Sequence, residues 1–116
     1  MLRIMCKSKI HRARITKVDL HYEGSIGIDK KLLKASDILP NEIVQVVNIN
    51  SGTRFETYVI EEPAGSGAVA LYGAAAHLGK MGDLVIIFSY GMMDDKRSKA
   101  IKLKVLRVDS MNRILK

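Results

Sequence analysis

The sequence predicts a mainly β fold, on the evidence of pattern, composition and length. Short runs of β-branched and other apolar residues are separated by turn residues, whereas helical patterns are few and short. Seven or so strands with two short helices favour a β-barrel over a doubly wound sheet, which needs more crossover helices. The chain has 116 residues, 47% of them hydrophobic and 27% charged, which is typical of one globular domain.

The N-terminal half is predicted to contain four strands and one helix. In chain order these are strands over 2–6, 10–18 and 25–28, a helix over 30–35, and a strand over 42–48. Asp29 is the expected N-cap of the helix, Leu32 and Leu33 are its inward-facing residues, and Pro40 ends the region.

The C-terminal half is predicted to begin with the second strand of a hairpin. That strand, 53–61, follows a turn at 50–52, and a loop over 63–67 comes next. The later predictions are a strand over 68–72, a short helix over 74–78, a strand over 84–89, a polar connection over 94–98 and a strand over 100–108. In the last strand Ile101, Leu103, Val105 and Arg107 share one face.

The net charge of +7 is unevenly distributed. Residues 1–18 carry six Lys or Arg and no acid, and the basic C-terminal tail, 96–116, carries eight against Asp109 alone. The segment between them is acidic. This asymmetry is compatible with a nucleic-acid surface, with solvated termini, or with a cleft that attracts anions.

Two further observations favour a cytoplasmic protein that does not contact a membrane. Cys6 is the only cysteine, so no intrachain disulfide forms, and the N-terminus lacks the apolar segment of a signal peptide. The longest uncharged run, 63–79, is interrupted by glycines, Ser66 and His77, which does not fit a membrane span.

Familiar cofactor motifs are missing or lie in the wrong context. The segment 65–70 matches a relaxed dinucleotide fingerprint, but the pattern after it predicts a strand, so no helix N-terminus is available for a pyrophosphate. There is no P-loop. His11, His21 and His77 have neither helical spacing nor a neighbouring Cys or carboxylate cluster, so no metal site is predicted.

The Gly24-Ser25 dipeptide is the most informative chemical feature. Gly24 tolerates strained dihedrals, and the Ser25 hydroxyl is placed to attack the preceding carbonyl, provided that it is activated and the oxyanion is stabilised. A turn between two strands is the ordinary interpretation of the same dipeptide.

The segment 54–58 adds candidate polar groups on a predicted strand. Arg54 and Tyr58 share one face, as a carboxylate-binding cation and a proton donor. Thr57 lies on the other face, where its hydroxyl is suited to an oxyanion. The alternative is an Arg–Glu pair on a solvated hairpin with Tyr58 as packing.

Five segments together resemble the aspartate alpha-decarboxylase family, the pyruvoyl enzymes of pantothenate synthesis. These are Lys9 with His11-Arg12, the run 21–25, the run 50–58, the run 73–77, and the run 82–87. Their order and spacing over about residues 1–95 are not those of a chance motif.

The resemblance implies a double-psi β-barrel with short helices, assembled as a homotetramer with active sites between subunits. It further implies an inactive single-domain precursor, 1–116, that cuts itself at Gly24-Ser25. The products are a β chain (1–24) and an α chain (25–116) that begins with a pyruvoyl group formed covalently from Ser25. In this scheme Thr57 stabilises the Gly24 oxyanion.

The resemblance also implies that L-aspartate is converted to β-alanine and carbon dioxide. The pyruvoyl ketone forms a Schiff base with the aspartate amine and acts as an electron sink, with no metal. Tyr58 is the expected proton donor, and Arg54, Lys9, Gly73, Ala74 and Ala75 are the expected substrate-binding residues. Tyr22, Tyr72 and Ile86 are expected to line the pocket.

The sequence departs from the family at two positions. Tyr72 stands where asparagine is usual, and Val47 where tryptophan is frequent. Two alternative functions remain at this point: a small basic barrel that binds nucleic acid, although aromatic residues for stacking are only 5%, and a pyruvoyl decarboxylase for another amino acid.

Overall fold

A computed structural model describes all residues, Met1–Lys116, and the fold is mainly β as predicted. The eight strands are β1 (Arg3–Arg14), β2 (Lys17–Asp19), β3 (Ser25–Asp29), β4 (Ile43–Asn48), β5 (Arg54–Glu62), β6 (Val69–Tyr72), β7 (Leu84–Met93) and β8 (Lys104–Arg107). The helices are α1 (Lys30–Ser36), a 3₁₀ helix (Gly73–Leu78) and α2 (Asp95–Ala100).

All eight strands belong to one sheet, in the order β2-β6-β3-β5-β4-β7-β1-β8. Only Ile15 and Thr16 separate β1 from β2, yet these strands lie near opposite ends of that order. The Ile15 amide bonds to Asp83, just before β7, and the Thr16 amide bonds to Val69 in β6. The two ends of the sheet are therefore brought together, which is consistent with the predicted double-psi barrel.

One apolar cluster of 18 buried residues fills the interior. It draws on the inward residues of most strands, such as Ile10, Val46 and Ile87, and on Leu32 and Leu33 of α1. The Asp29 side chain caps α1 by accepting from the Lys31 amide, as predicted, and α1 ends at Ser36, one residue beyond the predicted end.

The predicted division of the N-terminal segment into two strands is wrong. β1 runs without a break from Arg3 to Arg14 because it pairs with β7 over most of that length. Register shifts between Cys6 and Ser8 and between Ile10 and Ala13 disturb the alternation of inward and outward residues. Patterning along the sequence assumes a strict period of two and so misreads such a strand.

The C-terminal segment differs from prediction in two ways. The polar connection at 94–98 is largely helix α2, whose amide at Arg97 is capped by the Asp94 side chain. The last strand is shorter than predicted: Leu106 is its buried residue, and Val108, just after its end, is also buried.

The basic C-terminal segment is part of the folded structure. β8 pairs in parallel with β1, and the buried Asn112 side chain donates to the carbonyls of Arg14 and Gly67, at 2.8 Å each. No helix of the chain has the length and apolar character to cross a bilayer.

Candidate functional site

Ser25 is the first residue of β3 and is completely buried. β3 is held on both sides, because it pairs antiparallel with β6, where Ser25 faces Tyr72, and parallel with β5, where Ile26 faces Val59. The Ser25 hydroxyl donates to the carbonyl of Glu23 at 3.0 Å. The hydroxyl must therefore leave Glu23 and rotate about the Ser25 Cα–Cβ bond before it can attack the adjacent Gly24 carbonyl, as predicted.

Gly24 is exposed and lies against Gly73. Gly73 has a φ of +65°, and a Cβ added to it would lie 2.6 Å from the Gly24 Cα and 2.9 Å from the Tyr22 carbonyl oxygen. Only glycine fits both the backbone angle and this approach. The 3₁₀ helix that begins at Gly73 places Ala74 at the surface and buries Ala75 beside it.

Thr57 and Tyr58 lie on β5, next to β3, and both are half-buried. The parallel ladder between β3 and β5 begins at Ile26 and Val59, so Tyr58 directly precedes the paired segment of β5 as Ser25 precedes that of β3, and Thr57 comes one residue earlier. The predicted proton donor and the predicted oxyanion-stabilising residue therefore lie beside the proposed cleavage point.

The predicted carboxylate-binding cations lie together on another part of the sheet. The Lys9 ammonium and the Arg54 guanidinium approach the same Phe88 ring, at 5.9 and 5.8 Å from its centroid. Arg54 also donates to the Gln45 side chain at 2.8 Å. Ile86 and Val47, paired across β7 and β4, are neighbours of this group. The shared aromatic face favours positive charge at this spot.

The two cations differ in their place relative to β3. Lys9 is on β1, four strands from β3 in the sheet order, whereas Arg54 is on β5, the strand next to β3. The clefts of the single chain are lined by other residues, such as His11, Arg14 and Arg107 in one of them. None of these clefts is lined by Ser25, Lys9 or Arg54.

Tyr72, the unusual residue of the sequence, is almost fully buried next to Ser25. Its ring packs on Tyr22 with 4.7 Å between centroids, and the Lys17 ammonium lies 5.6 Å from the ring centroid. The Tyr72 hydroxyl donates to a Glu62 carboxylate oxygen at 2.7 Å. Burial, and then this hydrogen bond, raise the pKa of Tyr72 to about 12, so the phenol stays protonated at neutral pH.

Sequence patterning did not single out Phe88, Gln45 or Glu62. Phe88 and Gln45 meet Lys9 and Arg54 only through pairings among β1, β7, β4 and β5. Glu62 meets Tyr72 from the far side of β3. Such contacts have no signal in local spacing.

No group of three or more His, Cys, Asp or Glu side chains is arranged to hold a metal ion.

Comparison with known proteins identifies the family of this chain. A family model described as aspartate decarboxylase matches residues 1–115. The protein named Aspartate 1-decarboxylase from Thermoanaerobacter pseudethanolicus is 56% identical over 113 residues, which is 97% of each chain. The protein of the same name from Pelotomaculum thermopropionicum is 56% identical over 99% of this chain and 87% of its own length. That from Carboxydothermus hydrogenoformans is 55% identical over 100% of this chain and 91% of its own length. The chain therefore belongs to the aspartate decarboxylase family.

Proposed function

We propose that this chain decarboxylates L-aspartate to β-alanine and carbon dioxide, using a pyruvoyl group that it makes from its own Ser25. The observation that carries the proposal is the buried Ser25 at the start of β3, preceded by an exposed Gly24 packed on Gly73. Relatives of more than half identity bear the name Aspartate 1-decarboxylase.

Self-cleavage begins when the Ser25 oxygen attacks the Gly24 carbonyl carbon and the Gly24–Ser25 amide becomes an ester. Thr57, on the adjacent strand β5, donates its hydroxyl to the oxyanion of this step. Loss of the Ser25 α-proton then expels the Gly24 carboxylate and leaves dehydroalanine. Water hydrolyses the dehydroalanine, ammonia departs, and the new ketone remains at position 25.

The products are the β chain, 1–24, and the α chain, 25–116. β3 keeps its place after the cut because its ladder to β5 begins at Ile26 and its ladder to β6 begins at Ser25, so neither depends on Gly24. The β chain keeps its place through β1, which pairs with both β7 and β8. The cut therefore leaves the fold intact and exposes one new reactive end.

The residues around Ser25 fit a pyruvoyl group, since the position is enclosed, and small residues at 73–75 leave room for a substrate. A pyruvoyl ketone condenses with the substrate amine and accepts the electron pair released with carbon dioxide. Tyr58, beside position 25, returns a proton to the substrate carbon. Gly73, Ala74 and Ala75 contact the substrate, and Tyr22, Tyr72 and Ile86 line the pocket.

Arg54 and Lys9 bind the substrate carboxylates, because aspartate carries two of them and the Phe88 ring already gathers both cations. No cleft of one chain joins these cations to Ser25, so we place the active site between subunits of a homotetramer. Ser25 of one subunit then faces the Phe88 group of another. A site completed this way is active only in the assembly.

The product β-alanine supplies pantothenate and coenzyme A synthesis in this proposal. We place the enzyme in the cytoplasm, where its one cysteine stays reduced. No step requires a metal ion, a membrane or a nucleic acid.

Intact mass and a denaturing gel, followed by carbon dioxide release from aspartate, glutamate and other amino acids, test the proposal. Two fragments that meet at residues 24 and 25, with aspartate as the preferred substrate, support it. A purified tetramer that stays one inert chain after prolonged incubation overturns it. Preference for another amino acid overturns the substrate assignment, and tight, salt-dependent binding of DNA or RNA by an uncleaved chain points to the nucleic-acid alternative.

A further inference from the structure

A side-chain hydrogen bond passes over β3 just after the proposed cleavage point. Tyr72 is on β6 and Glu62 is on β5, and β3 lies between these two strands in the sheet. The Tyr72 hydroxyl nevertheless reaches a Glu62 carboxylate oxygen at 2.7 Å. The two side chains therefore meet above the face of β3 and connect its two neighbours.

Gly27 makes this crossing possible. A Cβ at position 27 would lie 2.8 Å from the Glu62 carboxylate oxygen and 2.9 Å from its Cγ and Cδ atoms. Glu62 thus lies directly on the β3 backbone, two residues beyond Ser25. Any side chain at 27 would compete with Glu62 for this space.

The Tyr72 end of the contact is also held firmly. Tyr72 faces Ser25 in the antiparallel β3–β6 ladder, so both side chains emerge on the same side of the sheet. The Tyr22 ring and the Lys17 ammonium pack against the Tyr72 ring. Tyr22 precedes the cleavage point and Ser25 follows it, so Tyr72 contacts both sides of the bond that is to be cut.

We propose that Tyr72 and Glu62 act as a clamp that positions the first residues of β3, holding Ser25 before cleavage and the group derived from it afterwards. This inference rests on the proposed function. Cleavage removes the covalent link between Ser25 and Gly24, so the new chain end has only non-covalent contacts to fix its direction. The clamp spans β3 at Gly27 and opposes fraying of that end.

The clamp depends on the length of the Tyr72 side chain. An asparagine at position 72 would be too short to extend across β3 to Glu62 on β5. Tyrosine has the reach, and its hydroxyl gives Glu62 a donor above the face of β3. Tyr72 and Glu62 are therefore positioning residues, which act through Ser25 rather than on the substrate.

Cleavage rates of the full-length precursor test the clamp. Tyr72→Phe removes only the hydroxyl, and Glu62→Gln removes only the charge. Each is expected to slow cleavage about three- to tenfold, and the double variant no further than Tyr72→Phe alone, because both act on one hydrogen bond: Phe removes its donor, and Gln replaces its charged acceptor with a weaker neutral one. Glu61→Gln is the matched control, since Glu61 is the exposed neighbour on the same strand, and its rate should equal that of the wild type. Single-variant rates within twofold of the control, or effects that multiply in the double variant, overturn the proposal.

A second measurement does not depend on cleavage. In uncleaved Ser25→Ala protein, ¹³C NMR of labelled tyrosine rings gives the pKa of Tyr72, which Glu62→Gln should lower and Glu61→Gln should leave unchanged. An unchanged Tyr72 pKa in Glu62→Gln shows that the clamp does not form. A wild type that never cleaves, combined with the expected NMR shift, shows instead that the clamp exists and the proposed function is wrong.

Discussion

Gly73 lies against Gly24 so closely that a Cβ on Gly73 would be 2.6 Å from the Gly24 Cα and 2.7 Å from the Gly24 nitrogen. The neighbouring Gly24–Ser25 peptide is the bond proposed to break, so the backbone of the 3₁₀ helix start forms one wall of the reaction site. The atoms of Gly24 and Gly73 that approach each other belong to the backbone, so no side-chain rotation can relieve the contact.

Gly73→Ala should therefore impair both folding and cleavage. The left-handed φ of +65° and the contact with Gly24 both oppose a Cβ, and together they should cost more than about 1–3 kcal/mol of stability. Thermal unfolding and a denaturing gel measure the two effects. Gly52→Ala, at a φ of +77° with no atom within 4 Å, is the control for backbone strain alone. Equal cleavage rates in the two variants would contradict a role for the Gly73–Gly24 contact.

Ser25→Ala should remain one folded chain without decarboxylase activity. The substitution removes the attacking oxygen and little volume from a buried site, so the sheet should be preserved. Intact mass and circular dichroism check the two statements. Fragments ending at residue 24 in this variant would show that another group cuts the chain.

Arg54→Ala should weaken transition-state binding of aspartate in fully cleaved protein. Arg54 is exposed in the single chain, and in the proposed assembly a partner subunit covers it. Loss of its charged hydrogen bond to substrate in that covered site costs about 2–5 kcal/mol, so kcat/KM should fall by more than tenfold, and Lys9→Ala should act in the same direction. Steady-state kinetics measure this. Arg97→Ala, which removes the same charge from an exposed position on α2, is the matched control. Wild-type kcat/KM in cleaved Arg54→Ala would contradict the assignment.

Tyr72→Asn should retain both self-cleavage and aspartate decarboxylation. The change breaks the bond to Glu62 but leaves Arg54, Lys9 and Tyr58 in place, so kcat/KM should move by no more than about tenfold, equivalent to about 1.4 kcal/mol of barrier. Kinetics on fully processed protein decide it. If the wild type were inert toward aspartate and the variant active, Tyr72 would set substrate choice and the substrate assignment would be wrong.

The stability of the fold should decrease in acid partly through Asp83. Its buried carboxylate accepts hydrogen bonds from the Asn48 side chain and from the Lys80 amide, at 3.0 Å each. The hydrogen bond from Asn48 is the main cause that lowers the pKa of Asp83 in the folded chain. A lowered folded pKa gives stability that is present above the unfolded pKa, about 3.9, and is lost as the pH falls through the folded value.

Asp83→Asn should therefore flatten the acid side of the stability curve. Denaturant unfolding between about pH 2 and pH 6 measures the slope, which is set by the protons bound on unfolding. Asp94→Asn, at an exposed helix cap, is the comparison. An unchanged slope in Asp83→Asn would show that other carboxylates control acid unfolding.

The sequence by itself determined the fold class, most element positions and the family. Short apolar runs and turn residues are local signals, so the strands at 25–29, 43–48 and 54–62 and the Asp29 helix cap were predictable, and the family resemblance is confirmed by the match over residues 1–115. The roles of individual site residues remain predictions, since they follow from the resemblance.

Only the tertiary structure decided which distant residues meet. The continuous β1 depends on its pairing with β7, because hydrogen bonds to a partner override the interrupted pattern at its bulges. The meeting of Lys9 and Arg54 at Phe88, and of Tyr72 and Glu62 above Gly27, depends on strand order, which places residues far apart in the chain side by side. Local sequence carries periodicity and turn chemistry, whereas strand order and register arise from the packing of the whole sheet around its core.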